Sequence, residues 1–133
     1  MASTYTSNTG IEKPGTGEQS GTWGDTVNIN SDILDRAING VLTLSLTGAS
    51  STLTTADGVL SDGQYKLISF TGSPSGTHTV TVTPNDSQKI YFLYNTTNET
   101  VIISQGSGAS VTLPAGESDV IYCDGGGSAA AVV

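Results

Sequence analysis

Apolar and polar residues alternate along most of the chain after residue 41, which is the pattern of strands that bury one face. In THTVTVT (77–83), Val80 and Val82 point one way and the threonines point the other way. Turns rich in Gly, Asp, Asn and Pro separate eight predicted strands, at residues 41–47, 51–56, 64–70, 77–83, 88–94, 99–105, 109–114 and 119–123. Eight strands at this spacing predict a mainly β protein, built as an antiparallel β-sandwich of the jelly-roll kind.

Two segments depart from simple alternation. IYFLY (90–94) is apolar on both faces, which predicts either a central strand or a strand covered by a neighbouring subunit. The C-terminal residues 125–133, GGGSAAAVV, are interpreted as a flexible tail or as a strand completed by a partner.

A helical period precedes the strands and predicts one short helix within residues 23–40. Asp25 or Thr26 would cap its first N–H groups, and Gly40 would end it in the left-handed conformation. One stripe of this helix is formed by Val27, Asn30, Leu34, Ala37 and Val41. The stripe fits a helix packed on its own domain, and it fits equally a seam between subunits in which Asn30 would fix the register.

Residues 1–22 carry almost no apolar side chains and are punctuated by glycine and proline. They are interpreted either as a disordered terminus or as an extended arm that orders against a partner, with Tyr5 and Ile11 as anchors. The predicted organisation is therefore an arm (1–22), a helix (23–40) and a β-sandwich domain (41–133).

Composition limits the classes of function. Only 35% of the 133 residues are hydrophobic, so the core should be thin, and small proteins with thin cores often gain stability by oligomerising. The net charge is −8 with four basic residues, which excludes the basic patch that nucleic acid or an anionic membrane would require. No apolar run is long enough for a transmembrane helix and no secretory signal is present, so we expect a soluble protein without membrane insertion.

We find no constellation of catalytic, metal-binding or cofactor-binding residues. Cys123, the only cysteine, lies in the strand-like run VIYC and is interpreted as a buried apolar residue, and His78, the only histidine, as a packed or solvated one. Neither paired carboxylates nor a phosphate-binding loop is evident, so we expect no enzyme and no cofactor. Four tyrosines could form a sugar-stacking surface, although burial or an interface is favoured for them: Tyr65, Tyr91, Tyr94 and Tyr122.

The segment around the only tryptophan carries a motif of the form G-x-x-x-G-T-W-G-D/E-x-x-N-x-N-x-D/E-x-I/L-D/E. The residues that match are Gly17, Gly21, Thr22, Trp23, Gly24, Asp25, Asn28, Asn30, Asp32, Leu34 and Asp35. This motif resembles the start of tail-fibre-like proteins of tailed bacteriophages, especially marine ones, and residues 57–66 (DGVLSDGQYK) look like the β region that follows it. The resemblance is strong over residues 10–40.

The resemblance implies a homotrimeric virion protein on the surface of a phage particle, attached through its N-terminal segment. Particle attachment would then involve Tyr5, Ile11 and Trp23, and the helix stripe would lie near the three-fold axis. The expected partners are copies of itself, other virion proteins of the tail or capsid, and a host surface glycan or protein. A capsid decoration or head-fibre protein and a stand-alone carbohydrate-binding module are the alternatives.

Overall fold

Ten strands and one α-helix occur in the computed structural model, which describes residues 2–133. The strands are β1 (Thr4–Tyr5), β2 (Glu12–Lys13), β3 (Val41–Leu46), β4 (Ser50–Thr54), β5 (Leu67–Gly72), β6 (His78–Thr83), β7 (Lys89–Asn95), β8 (Val101–Ser104), β9 (Val111–Leu113) and β10 (Ser118–Cys123). The helix α1 spans Trp23–Asn39, and short 3-10 turns lie at Asp62–Gln64 and Gly127–Ala129. The protein is mainly β, and all eight strands predicted after residue 41 are present.

Two four-stranded sheets form the body of the protein. The first sheet has the order β10-β7-β5-β3 and the second sheet has the order β4-β6-β8-β9. Strand β7 is central in the first sheet, which agrees with its doubly apolar sequence.

The sheets are mixed, so the antiparallel arrangement that we expected is not confirmed. Four of the six strand pairs are parallel (β3–β5, β5–β7, β4–β6 and β6–β8), and only β7–β10 and β8–β9 are antiparallel. Consecutive strands from β3 to β8 lie in opposite sheets, so each parallel pair is connected through a strand of the other sheet. Parallel strands always need such a crossover, which is more often a helix.

The core lies between the two sheets and contains the residues that alternation predicts. Val80 and Val82 are fully buried, and Leu42, Leu44 and Leu46 all face the core. The largest completely buried side chains of the cluster are those of Tyr91 and Phe70.

The helix lies within the predicted residues 23–40, but both of its ends are capped differently from our prediction. The helix begins at Trp23 after Thr22, whose side chain makes no capping hydrogen bond, so Asp25 and Thr26 lie inside the first turn. Gly40 ends the helix with φ −68° and ψ 139°, an extended conformation. A Cβ at Gly40 would lie 2.6 Å from the Arg36 carbonyl oxygen and 2.8 Å from the Tyr65 ring, so glycine is required there for space and not for a left-handed turn.

The N-terminal segment is ordered against its own chain, which neither of our two interpretations anticipated. Strands β1 and β2 form a small antiparallel hairpin, and the Gly10 carbonyl accepts a 2.7 Å hydrogen bond from the Gly58 N–H. The Ser87 hydroxyl donates to the Ser7 carbonyl at 2.8 Å. Polar hydrogen bonds therefore hold an arm that has little apolar surface to bury.

The C-terminal residues are neither a free tail nor dependent on a partner for their pairing. Val132 is buried and pairs with Cys123 in an isolated antiparallel bridge, and Val133 exchanges two 2.9 Å backbone hydrogen bonds with Tyr122. The chain end thus covers part of the free edge of β10.

Candidate assembly surface

The outward faces of the two sheets have opposite chemistry. The outward positions of the second sheet are mostly hydroxyl side chains, such as Thr52, Thr81 and Ser104, which lie side by side across three strands. The corresponding face of the first sheet is apolar over half of its length. Because solvent suits the first chemistry and not the second, the first sheet is the one expected to meet a partner.

A row of four apolar side chains crosses the whole first sheet. Strand register places Val41 opposite Leu67, Leu67 opposite Phe92, and Phe92 opposite Val120. Val41, Phe92 and Val120 are 60%, 43% and 53% exposed, and Leu67 is half-buried. Such a row forms a continuous band on the surface, which differs from the scattered single apolar residues that most protein surfaces carry.

Three further apolar side chains widen this row into a patch, which we name the apolar sheet face. Ile90 and Tyr122 are opposite one another across β7 and β10, and Tyr94 lies on the other side of the row. A shallow depression of about 590 Å³ is bordered by Phe92, Tyr94 and Val120. The Lys66 ammonium lies over the patch with its Nζ 5.4 Å from the centre of the Phe92 ring, and Asp119 also borders the depression.

The helix carries two different stripes, and the predicted seam mixes them. Its inward stripe contains the buried Thr26 and Ile33, together with Asn30 and Ala37, which are half-buried. Its outward stripe consists of four exposed apolar residues, Trp23, Val27, Leu34 and Ile38.

Of our two interpretations of the helix, the structure shows the first, packing on its own domain, and the seam between subunits stays a prediction. The helix packs on its own domain, and it also keeps an apolar surface free. Of the predicted interface residues, Val27, Leu34 and Val41 are exposed, whereas Asn30 and Ala37 face the protein's own domain. That the first three contact a partner stays a prediction.

The three predicted attachment residues do not form one cluster. Tyr5 is in the arm hairpin with its ring over Gly58, where a Cβ would come within 2.8 Å of the ring. Ile11 is half-buried in the same hairpin, and its N–H donates to the Thr6 hydroxyl at 2.8 Å. Trp23 begins the helix and is 63% exposed, the most exposed aromatic side chain. Their role in attachment stays a prediction.

His78 is packed, and its contacts include a serine. Its Nδ1 lies 3.0 Å from the Gly48 carbonyl oxygen, which can only accept, so Nδ1 carries the hydrogen and Nε2 accepts from the Ser51 hydroxyl at 2.8 Å. A serine nucleophile and its base use the same geometry. His78 is fully buried, however, and neither side chain lines the depression beside Tyr94 or the pocket beside Lys89. The contact joins β4 and the turn before it to β6.

Cys123 is buried, as the sequence indicated, and burial raises the pKa of its thiol to about 11. The thiol is therefore protonated at neutral pH and is a poor nucleophile. Within residues 2–133, no three His, Cys, Asp or Glu side chains form a group that could hold a metal ion. Over the same residues, no helix has both the length and the apolar character needed to span a bilayer.

Sequence reasoning identified only part of this surface. The doubly apolar run of β7 indicated Ile90, Phe92 and Tyr94, but Leu67 and Val120 become significant only once the register aligns them. Comparison with protein-family models, with curated proteins and with solved structures finds no match. The surface therefore has to be interpreted from its own chemistry.

Proposed function

We propose that this protein is a non-enzymatic structural protein of a bacteriophage particle, where it assembles as a homotrimeric, tail-fibre-like appendage. The Trp-containing motif of residues 17–35 supports the association with phage particles. The apolar sheet face supports self-assembly and is the observation that carries this proposal.

Much of the apolar surface of this chain lies outside its core. The chain buries a small core and at the same time exposes an apolar row, three apolar side chains beside that row and an apolar helix stripe. Burying such surface contributes about 25 cal/mol per Å², which is how a protein with a thin core gains stability from copies of itself. Val41 follows the helix directly and belongs to the row, so the helix stripe and the apolar sheet face can form one interface.

In a closed three-fold assembly each copy would bury this interface against its neighbours. The second sheet, with its threonine-rich face, would then lie outward. Each subunit in this arrangement is a mixed sandwich, which replaces the jelly roll that we expected from the sequence. The N-terminal hairpin and Trp23 would mediate attachment to the particle.

The mass of the purified full chain tests the assembly. Sedimentation equilibrium or light scattering at micromolar concentration should give three times the single-chain mass of 13.5 kDa. A stable monomer at that concentration would refute the trimer. Density for the protein in a map of the intact phage particle would then establish whether it belongs to the tail or to the capsid, where a decoration or head-fibre role is the alternative.

A stand-alone carbohydrate-binding module is the second candidate, and one observation favours it. Phe92, Tyr94 and Tyr122 are exposed on the apolar sheet face, where aromatic rings could stack on sugar rings, although Tyr91 is buried and Tyr65 half-buried. A monomer that binds sugars on a glycan array, and loses this binding when Tyr94 is replaced by alanine, would favour this candidate over the virion appendage.

A further inference from the structure

A second pocket lies where the arm, the helix and the first sheet meet. Its volume is about 350 Å³, within the lower range of small-molecule sites. Asn8 and Thr9 of the arm form one wall, Ala37 of α1 another, and residues of β7 and β10 the floor. Every one of these residues belongs to a single chain.

The charge of this pocket is opposite to that of the protein. The chain has twelve acidic and four basic residues, yet within the described residues the pocket wall contains Lys66 and Lys89 and no aspartate or glutamate. A third basic residue, Arg36, has its guanidinium carbon 4.6 Å from the centre of the Tyr65 ring, which also lines the pocket. Two of the four basic residues therefore line the pocket, and a third lies against one of the rings in its wall.

Lys89 has no internal partner for its charge. It is only 7% exposed, and its Nζ is completely buried without a hydrogen-bond partner among the described residues. An ammonium held in this way is costly unless a counter-charge joins it. Burial lowers the pKa of Lys89 to about 8, so that at neutral pH the side chain is still mostly cationic and can attract an anion.

The remaining wall is rigid, and its chemistry suits a sugar ring. The Tyr91 hydroxyl donates to the Gly63 carbonyl at 2.6 Å, and the Gln64 amide donates to the carbonyls of Thr9 and Val59 at 3.2 and 2.8 Å. These bonds fix the pocket before any ligand arrives, which lowers the cost of binding. Tyr65 and Tyr122 line the pocket beside these polar groups, and the Arg36 guanidinium lies over one face of the Tyr65 ring.

We propose that this pocket binds a carboxylate-bearing sugar of the size of a hexuronic acid, with the carboxylate beside Lys89, whose ammonium turns out of its buried position to pair with it. A monoanion fits better than a phosphate dianion because the negative C-terminal end of α1 borders the pocket at Ala37. Phosphate sites also tend to use backbone N–H groups of a helix N-terminus or a glycine-rich loop. This inference goes beyond the proposed function, and the site itself needs neither a trimer nor a particle. Ile90 and Tyr122 belong both to the pocket wall and to the apolar sheet face, so a trimer formed through that face would border the pocket.

Titration of the ¹⁵N-labelled full chain with D-glucuronate tests the proposal by NMR. The amides of Thr9, Gln88 and Tyr122 should shift, and D-glucuronamide, which has the same ring without the charge, should bind about tenfold more weakly or worse. Replacing Lys89 with methionine should weaken glucuronate binding by a similar factor. Lys13→Met, which removes the same charge outside the pocket, should leave it unchanged.

Two further ligands identify the source of the sugar acid. Stronger binding of an oligogalacturonate than of the monosaccharide would assign the pocket to a polysaccharide, and the reverse would assign it to a free sugar acid. Both results support the proposal. It is overturned if glucuronate and glucuronamide bind equally, if acetate binds as tightly as glucuronate, or if the pocket of the assembled protein already holds an acidic side chain of a neighbouring copy.

Discussion

Asn30 holds the backbone of Glu12 through both of its hydrogen-bonding groups. Its Oδ1 accepts from the Glu12 N–H at 3.0 Å, and its Nδ2 donates to the Glu12 carbonyl at 2.8 Å. A helix side chain thus satisfies β2 in the way a neighbouring strand would. This pair connects the arm to the helix, so the arm is part of the fold and not an appendage that waits for a partner.

Replacing Asn30 with alanine should release the arm without unfolding the sandwich. Two hydrogen bonds of about 1 kcal/mol each are lost, and two backbone groups of Glu12 are left without a partner. Hydrogen exchange followed by mass spectrometry should show faster exchange for residues 4–13 and unchanged exchange for β7. Asn28→Ala is the matched control, because Asn28 is exposed on the same helix. Equal protection of the arm in both variants would contradict this role of Asn30.

In the proposed trimer, the apolar sheet face and the outward helix stripe should make separable contributions to assembly. Phe92→Thr keeps a strand-compatible residue in β7 but removes the central ring of the row, and Leu34→Gln places an amide in the helix stripe. If the sheet face dominates, the dissociation constant of the trimer should rise about tenfold or more for Phe92→Thr and less for Leu34→Gln.

Sedimentation velocity over a range of concentrations measures both variants. Thr52→Ala, on the outward face of the second sheet, is the control and should assemble like the unmodified protein. Were Thr52→Ala to dissociate while Phe92→Thr remained trimeric, the assembly would use the opposite face from the one proposed.

Alternation predicted the strands but could not predict their pairing. The period of two reports which face of a strand is buried, and this is the same for parallel and antiparallel neighbours. Only residues 47–49 separate β3 from β4, a length that suggests a hairpin turn. Instead, Gly48 has φ +68° in a corner that takes the chain from the first sheet to the second. The sequence carries no direct sign of that change.

Local sequence patterns also did not predict the contacts of the arm or the burial of Lys89. The arm is held by amide and hydroxyl groups such as those of Asn8 and Asn30, and apolar periodicity predicts no structure for such a segment. Lys89 directly precedes the run 90–94, and its burial became evident only when β7 proved to be central and to turn this lysine inward. The helix was predictable because its ends and its period are local properties.

The unmatched ammonium of Lys89 should cost stability below about pH 8. Burial lowers the pKa of Lys89 from 10.5 to about 8, so between these pH values the unfolded chain binds more protons than the folded one, and the free energy of unfolding rises with pH. The whole cost of burying the charged ammonium corresponds to about 3 kcal/mol of the free energy of unfolding. Lys89→Met should therefore be more stable than the unmodified protein at pH 7, and its stability should not rise between pH 8 and 9.

Two neighbouring groups in the core set the upper limit of the pH range over which the free energy of unfolding rises. Burial raises the pKa of the Cys123 thiol from 9.0 to about 11, and it also raises the pKa of Tyr91. Each of these groups keeps its proton longer in the folded state, so stability falls as the pH rises above about 9. Urea unfolding at pH 7, 8 and 9 isolates the lysine, and a flat profile in the unmodified protein over this range would show that Lys89 has an unseen partner.

Among the buried polar side chains, Asn95 makes the most hydrogen bonds. Its replacement tests how the turn after β7 is stabilised. It is fully buried; its Nδ2 donates to the carbonyls of Glu99, Leu113 and Pro114, at 2.8, 3.1 and 3.2 Å. Its Oδ1 accepts from the N–H and the hydroxyl of Thr97. One amide thus joins β7, its following turn and the end of β9.

Asn95→Asp has nearly the same shape but places an oxygen where the amide nitrogen donated. Carbonyl oxygens would then face a buried carboxylate, so we expect a loss of about 3 kcal/mol or more in the free energy of unfolding. Asn98→Asp makes the same chemical change at an exposed position of the same turn and should stay within about 0.5 kcal/mol of the unmodified protein. Urea midpoints measure both variants. The deficit of Asn95→Asp should shrink at low pH, because a protonated carboxyl recovers one donor, and a deficit that is independent of pH would show that shape and not hydrogen bonding determines this position.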